Sequence, residues 1–234
     1  MKKVLILVEG QTEEEFIKKL LVPQLGGLVL IPILVKTRTT GAQPKKGGTV
    51  SYSECKKQLH LLLRDPTATL VSTLLDYQGL GRDFPGRAVP AGATPAARVS
   101  FVEAAMKADL DDSRYLPFLA LHEFEALLFS RPEAISEVLR QSVLAKPLKA
   151  VRDDYGSPEE INDSPATSPS AHIERLCEDK CGSKLVFQKR LHGPTIAEKI
   201  GLATIREQCP HFNAWLTTLE ALALTATNEP DPNF

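Results

Sequence analysis

The feature that most constrains the fold is a continuous apolar run from Val4 to Val8, which ends at the pentapeptide Glu9-Gly10-Gln11-Thr12-Glu13. A short run of this kind is typical of a strand buried on both faces of a parallel sheet. A helix must follow to cover such a strand. Thr12 with Glu15 three residues later gives a capping-box pattern, so we expect Thr12 to cap this helix.

Strand and helix patterns alternate along the first half of the chain. Further strands are predicted at Leu28 to Val35, Thr69 to Leu75 and Tyr115 to Leu121, with helices after Ser51 and from Ala97 to Leu110. Pro32 favours an edge position or a bulge for the second strand. The β-α-β-α-β-α-β order predicts an α/β fold with a mostly parallel, Rossmann-like sheet flanked by helices.

The second half of the chain has a helical character. Helices are predicted from Pro132, around Ile173 to Cys177, from Thr195 to Ile200 and from Phe212 to Leu224, with an irregular segment from Asp153 to Ser170. We therefore predict an α/β domain over residues 1–130 and a helical C-terminal subdomain over residues 131–234, packed on it.

Charge and hydropathy limit the partners. The 28 basic and 29 acidic residues nearly cancel, so a nucleic acid must be held by a local patch rather than by an overall field. No apolar run approaches the roughly 20 residues of a membrane-spanning helix, and the chain opens on a strand rather than a cleavable signal. We expect a cytoplasmic protein without a membrane contact.

Four cysteines are too few and too scattered for a disulfide framework. Three of them lie in the C-terminal third, where histidines also occur, and could form a zinc site. Their spacing lacks a second close pair, so free thiols in the core are favoured over zinc.

Two carboxylates of the opening pentapeptide can point into one crevice. Glu9 ends the strand, Glu13 lies in the first helical turn, and Gly10 lets the backbone turn closely between them. Converging carboxylates are costly unless a cation neutralises them, and hard oxygen ligands at a strand end suit Mg²⁺ or Mn²⁺. The alternative is that Glu13 and its neighbours complement the helix dipole on a solvated face. That alternative does not explain Glu9.

Asp76 and a later acidic segment add to this site. Asp76 ends the third strand, which we expect beside the first, although a lone Asp there also serves as a turn former. In His122-Glu123-Phe124-Glu125, a helix would separate the two glutamates by about 200°, so only one can face a shared site. We predict Glu123 as an additional ligand or catalytic group, with His122 orienting it and Glu125 in a supporting position.

Basic residues follow the second strand. Lys36, Arg38, Lys45 and Lys46 are candidate phosphate-binding residues, although solvated loop lysines are the commoner case. A second basic stretch of Lys184, Lys189, Arg190 and His192 is a candidate for a further phosphate contact. Neither a P-loop nor a Gly-x-Ser-x-Gly elbow occurs in the sequence.

These residues resemble a known family. The segment Val8 to Glu13 and the strand-terminal Asp76 are similar to the Toprim fold of topoisomerases, primases and overcoming-lysogenization-defect (OLD) nucleases. More closely, the chain resembles the bacterial, Toprim-like domain-of-unknown-function family 4276. The resemblance extends over nearly the whole chain, through Asp76 to Leu80, Asp83 to Gly86, Leu121 to Phe129, Ser168 to Ser170, His192 to Glu198 and Cys209 to Phe212.

The resemblance implies roles for individual residues. Glu9 would be a metal ligand or general acid/base, Glu13 a further metal ligand, and Asp76 the first acid of an Asp-x-Asp pair. Gln78 stands in place of the second aspartate, which weakens the case for a two-metal mechanism. Asp83 and Glu123 are the candidates to replace it.

Two functions follow from this comparison. The first is a Mg²⁺- or Mn²⁺-dependent nuclease acting on nucleic acid. Similar family members are often encoded beside an OLD-like, AAA-type ATPase, which implies a partner and a defence or repair role. The second is a catalytically weak Toprim-like module that binds and regulates such an ATPase. Either is compatible with a homo-oligomer.

Overall fold

The computed structural model describes residues 1–36, 50–88, 92–161 and 165–227. Its centre is a parallel sheet with the strand order β2-β1-β3-β4, in which β5 continues alongside the end of β3. The strands are β1 (Lys2–Val8), β2 (Leu28–Leu34), β3 (Ala68–Asp76), β4 (Tyr115–Leu116) and β5 (Leu119–Ala120). The predicted parallel α/β sheet is therefore confirmed.

Helices flank the sheet and make up most of the C-terminal half. The α-helices are α1 (Gln11–Phe16), α2 (Val22–Gln24), α3 (Tyr52–Leu63), α4 (Pro95–Leu110), α5 (Pro132–Val138), α6 (Ala145–Asp153), α7 (Pro169–Cys181), α8 (Lys189–Ile200), α9 (Leu202–Gln208) and α10 (Pro210–Thr227). A π-helical turn, Ile17–Leu21, joins α1 to α2. Short 3₁₀ helices, among them Tyr77–Gly79 and Phe124–Ser130, connect the rest.

The register of β1 brings three strand ends together. Val8 pairs with Leu34 of β2 on one side and with Leu74 of β3 on the other. The edge strand β2 carries Pro32, which has no N–H to donate to a ladder. Because parallel strands end at the same edge, the residues that follow β1 and β3 are neighbours.

Both faces of β1 are buried. Val4, Ile6 and Val8 face a core formed with α1 and the C-terminal helices, whereas Leu5 and Leu7 face α3 and α4. The continuous apolar run reflects this double burial. Since the first core contains side chains from both halves of the chain, the division into domains at residue 130 stays a prediction.

Helix α10 is fixed on the sheet by an aromatic contact. The Trp215 ring stacks on Phe118 with the ring centroids 4.7 Å apart, and its indole N–H donates a 2.9 Å hydrogen bond to Oγ of Ser72. A buried indole N–H needs such a partner. The C-terminal helices thereby cover the face of the sheet that carries Ser72.

Several predicted boundaries were wrong. Helix α1 begins at Gln11 with Gly10 as its N-cap, so Thr12 does not cap it. The strand predicted from Tyr115 to Leu121 is two short strands, because Pro117 lies between them. Helix α8 begins at Lys189 rather than at Thr195, and it contains Pro194.

The remaining composition-based expectations concern cysteines and membranes. Cys55, Cys177 and Cys209 are buried free thiols, and Cys181 is a half-buried one. Within the described ranges, no helix is both long enough and apolar enough to span a membrane.

Candidate functional site

Glu9 and Asp76 are neighbours at the carboxyl edge of the sheet. Glu9 follows β1 and Asp76 ends β3, and these two strands are adjacent and parallel. The backbone N–H of Asp76 donates a 3.3 Å hydrogen bond to Oε2 of Glu9. Both residues are half-buried. The juxtaposition expected from the strand order is therefore present.

Glu13 turns back toward the same strand end. Its Oε2 accepts a 2.8 Å hydrogen bond from the N–H of Gly10, which satisfies one of the free donors at the start of α1. Only 6% of Glu13 is exposed. Glu14 and Glu15 instead pair with Lys18 and Lys19 on the outer face of the helix. The solvated-face interpretation thus holds for Glu14 and Glu15 and not for Glu13.

Glu123 and Glu125 both reach one shared cation. Oε2 of Glu125 lies 3.2 Å and Oε2 of Glu123 lies 3.6 Å from Nζ of Lys189. The expectation that only one of the two could face the site was wrong. Glu123 is extended and precedes a 3₁₀ helix, so the α-helical angle between the two side chains does not apply.

Asp76 ties this segment to the sheet. Its Oδ1 accepts a 2.9 Å hydrogen bond from the N–H of Phe124, and the N–H of Gln78 donates to the carbonyl of His122 at 3.3 Å. The five acids Glu9, Glu13, Asp76, Glu123 and Glu125, here called the acidic cluster, are thereby held around one strand edge.

Lys189, which the sequence suggested only as a candidate phosphate contact, lies at the acidic cluster. It is the first residue of α8, and among the described residues it is the cation that contacts the acidic cluster. Helix α8 packs so closely on α1 that a Cβ at Gly193 would lie 3.1 Å from Cγ2 of Thr12. Gly193, one helical turn after Lys189, is the sequence signal for that close approach.

A second helix also supports the acidic cluster. The N–H of Ser170 in the first turn of α7 donates a 3.1 Å hydrogen bond to Oε2 of Glu123. Ser168 caps the same helix, with its hydroxyl accepting from the N–H of Ala171. Glu123 therefore lies at the positive end of the α7 dipole. No sequence pattern pointed to this contact.

The acidic cluster shifts the proton affinities of its members. Burial, then the charge of Glu13, raises the pKa of Glu9 to about 7. Burial and the charge of Glu9 raise the pKa of Asp76 well above its ordinary value. Burial raises the pKa of Glu125 to about 7 against the pull of Lys189. In all three residues burial is the largest cause, and the charges of neighbouring carboxylates add to it.

The acidic cluster fits a divalent cation in donor chemistry and in charge. Carboxylate oxygens are the ligands that Mg²⁺ and Mn²⁺ prefer, and an added cation would offset the repulsion among the carboxylates. Across the described residues, however, no three Asp, Glu, His or Cys side chains lie together in an arrangement that would already hold a metal ion. Binding would require the carboxylates to rotate toward a common point.

Four predicted basic residues and His122 remain to be placed. Lys36 is exposed and follows β2, where the N–H of Val35 donates to the carbonyl of Val8 at 2.8 Å. Arg38, Lys45 and Lys46 lie outside the described residues. His122 is buried beside Glu123, and its orienting role stays a prediction.

Asp83, one candidate replacement for the missing second aspartate, serves another element. Its carboxylate accepts hydrogen bonds from the hydroxyl of Ser51 at 2.9 Å and from the N–H of Ser53 at 3.2 Å, at the start of α3. Of the two candidates, Glu123 is the one that joins the acidic cluster.

Fold and site together define an α/β protein with an acidic cluster at the carboxyl edge of a parallel sheet. The chain belongs to the family described as "Domain of unknown function (DUF4276)", whose sequence profile matches residues 8–220. No curated protein matches the chain significantly.

Solved structures with a related chain course come from OLD proteins. The C-terminal region of the Xanthomonas campestris pv. campestris OLD protein is 19% identical, with a TM-score of 0.40 over 97% of this chain and 96% of that one. The C-terminal region of the Burkholderia pseudomallei OLD protein is 15% identical, with a TM-score of 0.42 over 95% and 99%. At this level of similarity, no residue role is carried over from either structure.

Proposed function

We propose that the chain is a Mg²⁺- or Mn²⁺-dependent nuclease of the Toprim type that hydrolyses phosphodiester bonds of nucleic acid. The observation that carries the proposal is the acidic cluster, in which five carboxylates share a strand edge with Lys189 as their cation. Five carboxylates gathered around one cation are costly to bury, so stability alone does not account for them. Perturbed acids at a strand edge are a frequent mark of a functional site.

The residues divide into two groups by proposed role. Glu9, Glu13 and Asp76 would hold the divalent cation. A bound cation of this kind supplies charge stabilisation for a phosphate and lowers the pKa of a bound water. Glu123, fixed by Ser170 and Lys189, is the further catalytic acid of the proposal.

Basic groups would position the phosphate backbone. Lys36 follows the edge strand β2, and Arg38, Lys45 and Lys46 follow it in sequence. Lys189 is 40% exposed in its side chain and so can also reach a phosphate. Positioning of this kind fixes register without reading sequence.

The cellular setting is inferred from the resemblance to OLD-associated proteins. The resemblance supports a cytoplasmic role in bacterial defence or repair, with an OLD-like, AAA-type ATPase as partner. A homo-oligomer is one arrangement of the chain in this role.

One observation favours a second function. The described carboxylates are not gathered around a common point. In addition, the neutral Gln78 stands two residues after Asp76, where Toprim enzymes carry an acid. A weak or absent activity would then leave a Toprim-like module that binds an ATPase partner and regulates it. Glu9 would be dispensable for that role.

The test is cleavage of single-stranded DNA, double-stranded DNA and RNA in the presence of Mg²⁺ or Mn²⁺. The proposal predicts metal-dependent cleavage that Glu9→Gln and Asp76→Asn each reduce by at least about 100-fold. Glu15→Gln is the control, because Glu15 lies on helix α1, which follows Glu9, but pairs outward with Lys19. Cleavage that survives Glu9→Gln unchanged, or that no metal stimulates, would contradict the proposal and favour the regulatory module.

A further inference from the structure

The turn after β3 holds the Glu9 carboxylate from two sides. The N–H of Asp76 donates to Oε2 of Glu9 at 3.3 Å. Three residues later, a Cβ built on Gly79 would lie 2.8 Å from Oε2 and 2.9 Å from Oε1 of Glu9. No real Cβ approaches an oxygen so closely, so only glycine leaves room for the carboxylate in this position. The place of Glu9 therefore depends on where the turn Tyr77–Gly79 lies.

This turn is held from outside the sheet by one side chain. Nη1 of Arg87 donates to the carbonyl of Tyr77 at 3.1 Å, and Nη2 donates to the carbonyl of Leu80 at 3.4 Å. The guanidinium carbon also lies 4.5 Å from the centroid of the Tyr77 ring. Arg87 thus bridges the two residues that flank Gln78 and Gly79.

The loop that carries Arg87 is itself fixed. Gly86 has a φ of +76°, and a Cβ there would lie 2.7 Å from the carbonyl oxygen of Phe101 in α4. On the other side of the turn, the N–H of Val50 donates to the carbonyl of Gly79 at 3.0 Å. The guanidinium therefore connects helix α4, through a close backbone contact, to the turn beside Glu9.

We propose that Arg87 is a positioning residue for Glu9, acting through the Tyr77–Gly79 turn. The inference deepens the proposed nuclease function and rests on it for its kinetic consequences. The planar guanidinium suits this task, because it donates to two carbonyls and stacks on a ring at the same time. A lysine could reproduce the charge but not the planar group that donates to both carbonyls while it stacks on the Tyr77 ring.

Kinetics separate positioning from phosphate binding. Arg87→Ala is expected to lower kcat for Mn²⁺-dependent cleavage of a DNA oligonucleotide by about 10-fold to 100-fold, with KM and its salt dependence unchanged. Gly79→Ala, which displaces Glu9 directly, should have the same effect, and Arg87→Lys an intermediate one. Arg82→Ala is the control, since Arg82 lies exposed in the same loop. A raised KM with a weaker salt dependence and an unchanged kcat would identify Arg87 as a phosphate contact and overturn the proposal.

A structural measurement decides the inference even if the chain cleaves nothing. Crystal structures of the wild type and of Arg87→Ala, or of Arg87→Lys if the alanine variant does not fold, are to be compared at the turn. The expected result is a displaced turn and loss of the hydrogen bond between the N–H of Asp76 and Glu9. An unchanged turn with Glu9 in place would overturn the positioning role. A wild type without metal-dependent cleavage would refute the proposed function alone.

Discussion

The backbone N–H of Asp76 donates a 3.3 Å hydrogen bond to Oε2 of Glu9 and so joins the ends of the two central strands. The contact crosses from β3 to β1, which pair in parallel through the preceding residues. Since the donor belongs to the backbone of β3, the sheet holds one side of the Glu9 carboxylate, and the Tyr77–Gly79 turn lies against the other. This relationship makes the carboxyl edge of β1 and β3 the centre of the proposed site.

Stability should depend on pH through Glu9. Burial, then the charge of Glu13, raises its pKa in the folded protein to about 7 from the ordinary 4.5. Between these two values the folded protein binds more protons than the unfolded chain, so the contribution of Glu9 to the free energy of unfolding falls as pH rises. Relative to the wild type, Glu9→Gln should therefore gain on the order of 2 kcal/mol between pH 4 and pH 8 without metal.

Urea denaturation at both pH values in the presence of a chelator measures this gain. The control is Glu15→Gln, whose difference from the wild type should change little, because Glu15 lies on the outer face of α1. An equal difference between Glu9→Gln and the wild type at both pH values would show that Glu9 is not in the acidic surroundings described.

A divalent cation should stabilise the folded chain. At pH 8, Mn²⁺ at about 100 times its dissociation constant would add about 2.7 kcal/mol, which corresponds to a rise in Tm of roughly 5 °C or more for a chain of this size. Thermal unfolding followed by circular dichroism measures the rise. Asp76→Asn should abolish it, whereas Glu15→Gln should keep it. A shift of the same size in the Asp76→Asn protein would place the cation elsewhere.

Removal of Lys189 should expose the imbalance of charge around Glu125. Lys189→Met leaves Glu125, which is 2% exposed, without its cation and should lower the free energy of unfolding at pH 8 by about 2 kcal/mol. Addition of Glu125→Gln should recover more than half of this loss, because the uncompensated charge is gone. Urea denaturation of the two single variants and the double variant completes the cycle. Additive losses would mean that the two side chains do not interact.

The central part of the fold could be predicted from local patterns. The doubly buried run Val4 to Val8 indicated a central parallel strand, and the alternation of strands and helices placed β3 beside it. Predicted element boundaries were wrong where a competing local feature decides the start or the end of a helix or strand. The carboxylate of Glu13, not the hydroxyl of Thr12, serves the start of α1, and Pro117 divides the predicted fourth strand.

Less of the site could be predicted than of the sheet. Glu9, Glu13 and Asp76 follow from strand ends and from the first turn of a helix, which are local features. Lys189 and Ser170 reach the acidic cluster only through the packing of α8 and α7, across more than forty residues of sequence from Glu123 or Glu125. The apolar pattern also did not predict the 3₁₀ helix that follows Glu123. Contacts of this kind depend on tertiary packing rather than on periodicity.

The most direct test of the proposed metal site is a crystal structure of the chain with Mn²⁺, examined by the anomalous scattering of manganese. We predict an anomalous peak at the carboxyl edge of the sheet in contact with the carboxylates of Glu9 and Asp76, and its loss in Asp76→Asn crystals. An acidic cluster without a manganese peak at saturating Mn²⁺ would contradict the account.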